Sequence, residues 1–438
     1  MRPAHRTLFI FLRGVLLVSA VSPLVAQGNH AQTPAKDMPE MDIEMSQPSP
    51  NWMPSPHVSS GTGWQPAATA TPEWMKSVSG WAFMAHGAIF AGYNQQGGPR
   101  GAGKAESVNW LMLMQEHKAG GGTLLFREML SAESLTSPHP GFPELFQTGE
   151  SYHGAPLVDH QHPHNVFSEL ALDYTHRAGE RLSWLFYGAA AGEPALGPVA
   201  YVHRASASEL PLAPLSHHLQ DSTHISFGVL TAGIVVERLK LEGSVFNGRE
   251  PNEQRYGIQF AALDSWSARL SLAASRNWTM QYSYGRLEHP EALEPGSQRR
   301  QTASVEYVRE LGRGSWATSL VWGRVHKESD SRNLNGYLME TTLRFKERNH
   351  VFSRLELVDK DELFPGDPQF SSARIGAYTF GSARDLAQKR LWELALGADF
   401  TVYSKPSSLD AAYGDNPVSF QVFLRVRPRS GHRHAGLP

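Results

Sequence analysis

The sequence of 438 residues contains no cysteine, carries a formal charge of only −2, and has no long apolar run beyond its first 26 residues. Without cysteine, neither a disulfide framework nor a thiolate metal site can form. A charge so close to zero gives no electrostatic reason to expect nucleic acid as a partner. No later segment approaches the roughly 18 consecutive apolar residues that a spanning helix requires. The absences therefore exclude a disulfide-stapled module and argue against a helical membrane protein, and nothing in the charge favours a nucleic-acid partner.

The first 26 residues have the pattern of an export signal. Arg2 and Arg6 make the leader basic, residues 14–21 form a short apolar run, and Ala26 closes a small-residue cleavage site. We expect residues 1–26 to be a signal peptide, so that the mature protein is exported.

Residues 27–75 are rich in Pro, Ser, Thr, Gln and acidic side chains and show no sustained period. This composition predicts a disordered periplasmic segment. Within it, Met38, Met41 and Met45 are spaced by three and four residues among carboxylates. Thioethers are soft ligands that suit Cu(I). Two interpretations stay open, an acidic linker whose methionines are incidental and a segment that captures metal.

The stretch 390–403 alternates strictly between two kinds of side chain. Trp392, Leu396 and Phe400 share one face, and Glu393 and Asp399 lie on the other. A long run with carboxylates on one face and aromatics near both ends is typical of a strand that has lipid on one side and water on the other.

About sixteen segments of this kind follow one another, and every second connection between them is short. A rhythm of short turns and long loops is typical of an up-and-down barrel. We therefore predict an all-β fold, a single transmembrane antiparallel up-and-down β-barrel of about 16 strands with long outer loops, over residues 76–428, followed by a tail at 429–438. The predicted strands lie at about 80–93, 105–117, 122–132, 165–176, 181–190, 223–236, 239–246, 264–274, 278–287, 301–309, 315–325, 336–346, 350–359, 372–381, 390–403 and 417–427.

Acidic and basic side chains share the predicted inner face. The predicted pore-lining residues are Glu306, Glu340, Arg344, Arg354, Glu356, Glu393, Asp399, Arg425 and Arg427. Opposed rows of charge favour a channel for small polar solutes. The alternative is a set of interior ion pairs that plug the barrel. Because sixteen strands enclose a channel unless loops fill it, the prediction favours a pore.

The two longest loops hold most of the histidines. The candidate metal ligands there are His153, His160, His162, His164, His217, His218 and His224. Imidazole suits Cu and Zn, and in an extended segment alternate residues such as His160, His162 and His164 point to one side. We hypothesise that these three converge on a metal ion. The structural alternative is that both loops fold inward and use their histidines as hydrogen-bonding groups.

A hydrolase at the barrel rim is a further hypothesis. Asp159 beside His160, and Asp221 near His224, are candidate pairs for activating water. Ser216 beside His217 would permit acyl chemistry. The sequence has no G-x-S-x-G motif, and we predict that the protein is not an enzyme.

In strand rhythm and inner polarity, the region from Gly80 to Arg427 resembles bacterial outer-membrane porin-like barrels. Met38, Met41 and Met45 are similar to the Met-rich N-terminus of the copper-resistance B family of outer-membrane proteins. The resemblance implies a barrel surrounded by outer-membrane lipid and inserted by the barrel-assembly machinery. Many general porins trimerise, so a homotrimer is a candidate assembly, and the sequence leaves the oligomeric state open. It also implies passage or handling of a small solute or metal ion, with Cu or Zn as the candidate ions.

Overall fold

The computed structural model describes residues 50–70, 72–137, 140–367 and 369–429. The predicted signal peptide, the methionines Met38, Met41 and Met45, and residues 430–438 lie outside these ranges. The strands are β1 Glu73–Val78, β2 Trp81–Gln95, β3 Gly103–Ala119, β4 Gly122–Leu130, β5 Phe142–Pro143, β6 Glu150–Tyr152, β7 Ala155–Leu157, β8 His160–Gln161, β9 Phe167–Arg177, β10 Leu182–Gly192, β11 Ser226–Val236, β12 Leu239–Phe246, β13 Ser265–Ser275, β14 Trp278–Leu287, β15 Gln298–Leu311, β16 Gly314–Lys327, β17 Asn333–Phe345, β18 Asn349–Lys360, β19 Ala373–Gln388, β20 Trp392–Ser404 and β21 Val418–Pro428. The helices are α1 Glu133–Thr136, α2 His217–Gln220 and α3 Asp410–Tyr413, with 3-10 turns at Ala205–Ala207, Ser222–His224 and Ser407–Leu409.

Sixteen strands, β2 to β4 and β9 to β21, form a closed antiparallel ring. The ring closes where Ile89–Gln95 of β2 pairs with Phe420–Val426 of β21. The first part of β2, Trp81–His86, pairs with β1 instead of β21. Along β2, the neighbour on this edge is therefore first β1 and then β21. Closure leaves no long unpaired edge, as a lipid environment demands. The predicted antiparallel up-and-down barrel of about 16 strands is confirmed.

One predicted boundary was wrong by several residues. The fourteenth barrel strand was predicted to end at residue 381, but β19 continues to Gln388, so its connection to β20 is only residues 389–391. The pairing of β19 with β20 contains an irregularity between Asp385 and Ala387. A bulge inserts one residue and shifts the alternation between faces, which interrupts the period from which strands are read.

Burial around the barrel is inverted relative to a soluble protein. On the outer wall Leu396 is 46% exposed and Phe400 is 49% exposed, whereas on the inner wall Glu340 and Arg425 are fully buried. On the outer wall near the short connections, the Tyr307 ring packs against the rings of both Trp278 and Trp316. An apolar outer wall with an aromatic girdle is what a hydrocarbon layer requires. Among the described residues, no helix is long and apolar enough to cross a bilayer.

Three segments fill the barrel interior. The first long loop joins β4 to β9, the second long loop joins β10 to β11, and both contribute many fully buried side chains. The third is an N-terminal insert, residues 50–70, which was predicted to be part of a disordered segment. That prediction was wrong for these residues, because the insert is hydrogen-bonded to the inner wall and to the second long loop.

Gln65 is the main contact between the N-terminal insert and the second long loop. Its side-chain nitrogen donates to the His203 carbonyl oxygen at 2.9 Å, and its side-chain oxygen accepts from the Ala205 N–H at 3.0 Å. Gly61 has a φ of +55°, and a Cβ there would lie 2.7 Å from Glu193 Cβ, so a side chain would not fit. Composition cannot reveal such an insert, since its polar groups are satisfied only by residues far along the chain.

Candidate metal centre

The predicted pore-lining charges lie on the inner wall, where they hold the second long loop. Arg204 of that loop lies 2.6 Å from Glu340 and 2.8 Å from Asp221, and Glu340 also accepts from Arg354 at 3.1 Å. Glu356 accepts the N–H and the hydroxyl of Ser216. These side chains therefore anchor a loop.

A second group of inner charges holds the same loop near the short connections. Glu209 of the loop pairs with Arg425 and with Arg427, and both arginines also pair with Glu393. Arg344 lies 3.8 Å from Glu393.

The remaining two predicted residues, Glu306 and Asp399, are buried on the inner wall. Asp399 borders a cavity of only about 40 Å³. Five of the nine predicted pore-lining side chains, Glu340, Arg354, Glu356, Arg425 and Arg427, therefore contact the second long loop, which occupies the lumen. In a low-dielectric interior such charges must be paired, and the loop supplies the partners.

Five of the seven predicted histidine ligands meet in the lumen, in what we call the five-histidine cluster. Its members are His162, His164, His217, His218 and His224. Each ring neighbours two others, in the order His162, His164, His224, His217, His218 and back to His162. The centroids of neighbouring rings are 5.0 to 6.5 Å apart. The first long loop supplies two members, and the second supplies three from α2 and the following 3-10 turn.

Three of these rings are oriented by a hydrogen bond at Nδ1. His164 Nδ1 lies 2.8 Å from Glu133, His217 Nδ1 lies 2.7 Å from Asp221, and His224 Nδ1 lies 2.9 Å from the Asp221 carbonyl oxygen. Carboxylate and carbonyl oxygens only accept, so Nδ1 carries the proton in each ring. The lone pair is then on Nε2, which is the arrangement found in histidines that bind metal through Nε2.

The other two histidines lie beside Glu150. One donor atom each from Glu150, His162 and His218 lies within 4.8 Å of the other two. His162 Nε2 is 2.5 Å from Glu150, and its Nδ1 is 3.0 Å from the Pro163 carbonyl oxygen. A neutral imidazole has one proton, so one of these two contacts places a lone pair against an acceptor.

His218 and Glu250 complete this side of the cluster. Both ring nitrogens of His218 are buried without a hydrogen bond, and so is one carboxylate oxygen of Glu250, which lies 3.6 Å from His218 Nδ1. Buried polar atoms are nearly always paired in proteins, so unpaired ones point to a missing ligand. Burial lowers the pKa of His162 and of His218 to about 4, which keeps both rings neutral and able to bind metal near pH 7.

A large cavity between the outer loops opens onto this group. It has a volume of about 740 Å³, and both Glu150 and Glu250 lie in its wall. The wall contains eight carboxylates and three arginines. An excess of negative charge in a cleft concentrates cations. We call this cavity the outer vestibule.

His153 and His160 lie apart from the cluster. The His153 N–H donates to Glu253 at 2.8 Å in the turn between β6 and β7. His160 is in β8, and its Nδ1 is 3.2 Å from the Val158 carbonyl oxygen. The expected convergence of His160, His162 and His164 was therefore wrong for His160, because β8 pairs with β5 and holds it elsewhere.

The pairs proposed for a hydrolase make other contacts. The Asp159 carboxylate binds Arg100 and the Phe146 N–H, and His224 contacts the carbonyl oxygen of Asp221. Ser216 donates to Glu356 at 2.8 Å. These contacts position loop backbone, and none of them activates the serine.

Sequence reasoning missed Glu150 and Glu133 as partners of the histidines. Neither stands at a fixed spacing from a histidine, because Glu150 enters the site through the β6–β7 hairpin and Glu133 through α1. It also missed His86 and Met112, whose inward position follows from the alternation of β2 and β3.

Comparison with known proteins gives only distant similarity. No protein-family model matches the sequence, and no curated protein matches it. Solved structures similar to the chain include an anion-selective porin from Comamonas acidovorans, at 9% identity, with 79% of this chain and 99% of that chain covered and a TM-score of 0.49. They also include Salmonella typhi OmpF in complex with daunomycin, at 9% identity, with 81% and 100% covered and a TM-score of 0.49. The outer membrane channel DcaP of Acinetobacter baumannii matches at 10% identity, with 80% and 99% covered and a TM-score of 0.46. The closed ring of strand pairs itself establishes the fold.

Proposed function

We propose that the protein is an outer-membrane barrel that takes up a divalent metal ion, zinc or copper(II), from the outer vestibule and binds it at the five-histidine cluster. This is a narrower role than that of an open pore for general solutes. The observation that carries the proposal is the meeting of Glu150, His162 and His218, with donor atoms within 4.8 Å of one another.

The donor set suits these ions better than it suits hard cations. Two imidazoles and one carboxylate form a usual ligand set for Zn²⁺, with the fourth position left to water or another ligand. Mg²⁺ and Ca²⁺ prefer oxygen donors. Tetrahedral ligands around Zn²⁺ lie roughly 3.3 Å apart, from a Zn–N distance of about 2.0 Å. The present separations range from 2.5 Å between His162 Nε2 and Glu150 to at most 4.8 Å, and small rotations of the His162 and His218 side chains would bring them to that value.

The path to the cluster favours cations. An ion that enters the outer vestibule meets mostly carboxylates, and Glu150 and Glu250 lie where the vestibule reaches the histidines. Beyond them His164, His217 and His224 offer further nitrogen donors. Several weak sites in a row allow an ion to enter and to leave, which transfer across a membrane requires.

Zinc binding to the purified full-length barrel in detergent micelles tests the proposal. We expect saturable binding of one Zn²⁺ per chain by equilibrium dialysis, and a loss of at least about tenfold in affinity in the double variant His162→Asn, His218→Asn. The matched control is His153→Asn with His160→Asn, which removes two loop histidines outside the cluster and should leave affinity unchanged.

A second measurement concerns passage. Barrels inserted into vesicles that enclose a zinc-sensitive dye should admit Zn²⁺ and exclude a sugar-sized solute. Equal zinc affinity in both double variants would overturn the proposal. So would a large bilayer conductance that is indifferent to a chelator, because it would indicate an ordinary solute pore.

A further inference from the structure

A second group of metal-type donors lies deeper in the barrel, on the inner wall formed by β2, β3 and β4. In the strand register His86 is opposite Met112, and Met112 is opposite Met129. Met84 is opposite Met114 in the adjoining row. All four methionines are at most 4% exposed. Directly paired residues of neighbouring strands have their side chains within contact distance.

The second long loop places a further histidine over this wall. The ring centroid of His203 is 5.6 Å from that of His86 and 4.8 Å from that of Trp110. His86 Nε2 lies 3.0 Å from the sulfur of Met112. Two imidazoles and a thioether thus meet in one place, which we call the Met–His pocket.

Both histidines of the Met–His pocket have an unpaired nitrogen. His86 Nδ1 and His203 Nε2 are buried without a hydrogen-bond partner. Buried imidazole nitrogens usually find a partner, so an orphaned nitrogen on each of two neighbouring rings indicates a missing ligand.

There is room for an ion beside these rings. A cavity of about 100 Å³ is bordered by His86, Trp110 and His203. Its wall also includes Val58 and Thr69 of the N-terminal insert. The N-terminal insert and the second long loop therefore both contribute to the wall of this cavity.

We propose that the Met–His pocket is a binding site for a soft monovalent ion, copper(I) or silver(I), held by His86, Met112 and His203. It goes beyond the proposed divalent site and does not depend on it. Thioether and imidazole donors suit Cu(I), and no carboxylate belongs to this set. The charged side chains in the wall of the adjoining cavity are two arginines, Arg204 and Arg427. A positive neighbour disfavours a divalent ion more than a monovalent one.

Silver titration of the purified full-length barrel, with copper(I) added in competition with a chromophoric chelator, tests the assignment. We expect one high-affinity soft ion per chain and a loss of at least tenfold in affinity in Met112→Leu. Leucine has nearly the same volume as methionine, so the variant should still fold. Heat-modifiable migration on a gel confirms the folded state of each variant. X-ray absorption at the copper edge should show sulfur and nitrogen ligands in the wild type and should lose the sulfur in Met112→Leu.

Two control variants test whether methionines outside the Met–His pocket contribute to silver binding. Met280→Leu changes a methionine that is 39% exposed on the outer wall and should leave silver affinity unchanged. A triple variant, Met38→Leu, Met41→Leu and Met45→Leu, should also retain the high-affinity site. The proposal is overturned if Met112→Leu keeps wild-type affinity and sulfur ligation, or if the triple variant abolishes binding. The double variant His162→Asn, His218→Asn should lose zinc and keep silver, so the two proposals can fail separately.

Discussion

The five-histidine cluster and the Met–His pocket are two histidine groups in one lumen with different neighbours. Around the cluster lie carboxylates such as Glu150 and Glu250, and around the pocket lie thioethers such as Met112. Imidazole is common to both, so it cannot decide which ion each region prefers. The difference teaches that the residues beside the histidines, oxygen donors near the outer loops and sulfur donors deeper in the barrel, determine the chemistry of each region.

The largest effect should come from a residue on which both regions depend. The second long loop supplies histidines to each region, and Glu340 fixes that loop through Arg204 and also binds Arg354. In Glu340→Ala both arginines lose a buried partner, and we expect a loss of about 3–5 kcal/mol in the free energy of unfolding. Zinc and silver binding should weaken together. Chemical unfolding in lipid vesicles and the two titrations measure this.

Glu310→Ala is the matched control for that variant, because Glu310 is an exposed partner of Arg276. Exposed pairs contribute about 0–1 kcal/mol, so this change should be nearly neutral. If Glu340→Ala retained both metal affinities, the two regions would not share the loop as a common support.

The next largest effect should be a loss of zinc affinity that leaves silver affinity unchanged, which distinguishes the two regions. Glu150→Gln keeps the shape of the side chain but removes its charge beside His162 and His218. We expect zinc affinity to fall by about 10- to 100-fold and silver affinity to stay as in the wild type. Asp367→Asn, in the wall of the same outer vestibule, is the control. Parallel losses of both ions in Glu150→Gln would show that the regions are one site.

A smaller effect concerns pH. Burial lowers the pKa of His162 and His218 to about 4, so protons should begin to compete with zinc near pH 4. Between pH 7.5 and 5.5 zinc affinity should change by less than about threefold, because the rings stay neutral. A fall in affinity with a midpoint near pH 6.5 would contradict this.

The same shifts make the metal-free fold less stable in acid. Between about pH 6.5 and pH 4 the unfolded chain binds protons at these two histidines and the folded chain does not, so the free energy of unfolding decreases as the pH falls. Replacement of both histidines by Asn should flatten that part of the pH profile of unfolding.

The smallest effect should be on the rate of zinc entry. The carboxylates of the outer vestibule act at long range, and their field is screened when the Debye length shortens to about 3 Å in molar salt. We expect the association rate of Zn²⁺ to fall several-fold between low and high salt in stopped-flow measurements. Glu291→Gln with Glu294→Gln should reduce this salt dependence, and an unchanged dependence would rule out steering by the vestibule.

The strands were predictable because each one carries its own alternation. Residues 239–246 and 278–287 were predicted with the bounds that the structure has for β12 and β14. The site was predictable only in part. The histidine-rich loops mark its ligands, but His160 is excluded and Glu150 included by the pairing of β5 with β8 and of β6 with β7.

By itself the sequence determined the barrel, since a face for lipid and a face for the interior are encoded locally, two residues at a time, in every strand. Only the tertiary structure decided what fills the barrel. The second long loop and the N-terminal insert lie inside because buried charges such as Glu340, and polar groups such as the Gln65 side chain, require partners from distant parts of the chain. No local pattern specifies such partners, and for that reason the donors beside each histidine became visible only in three dimensions.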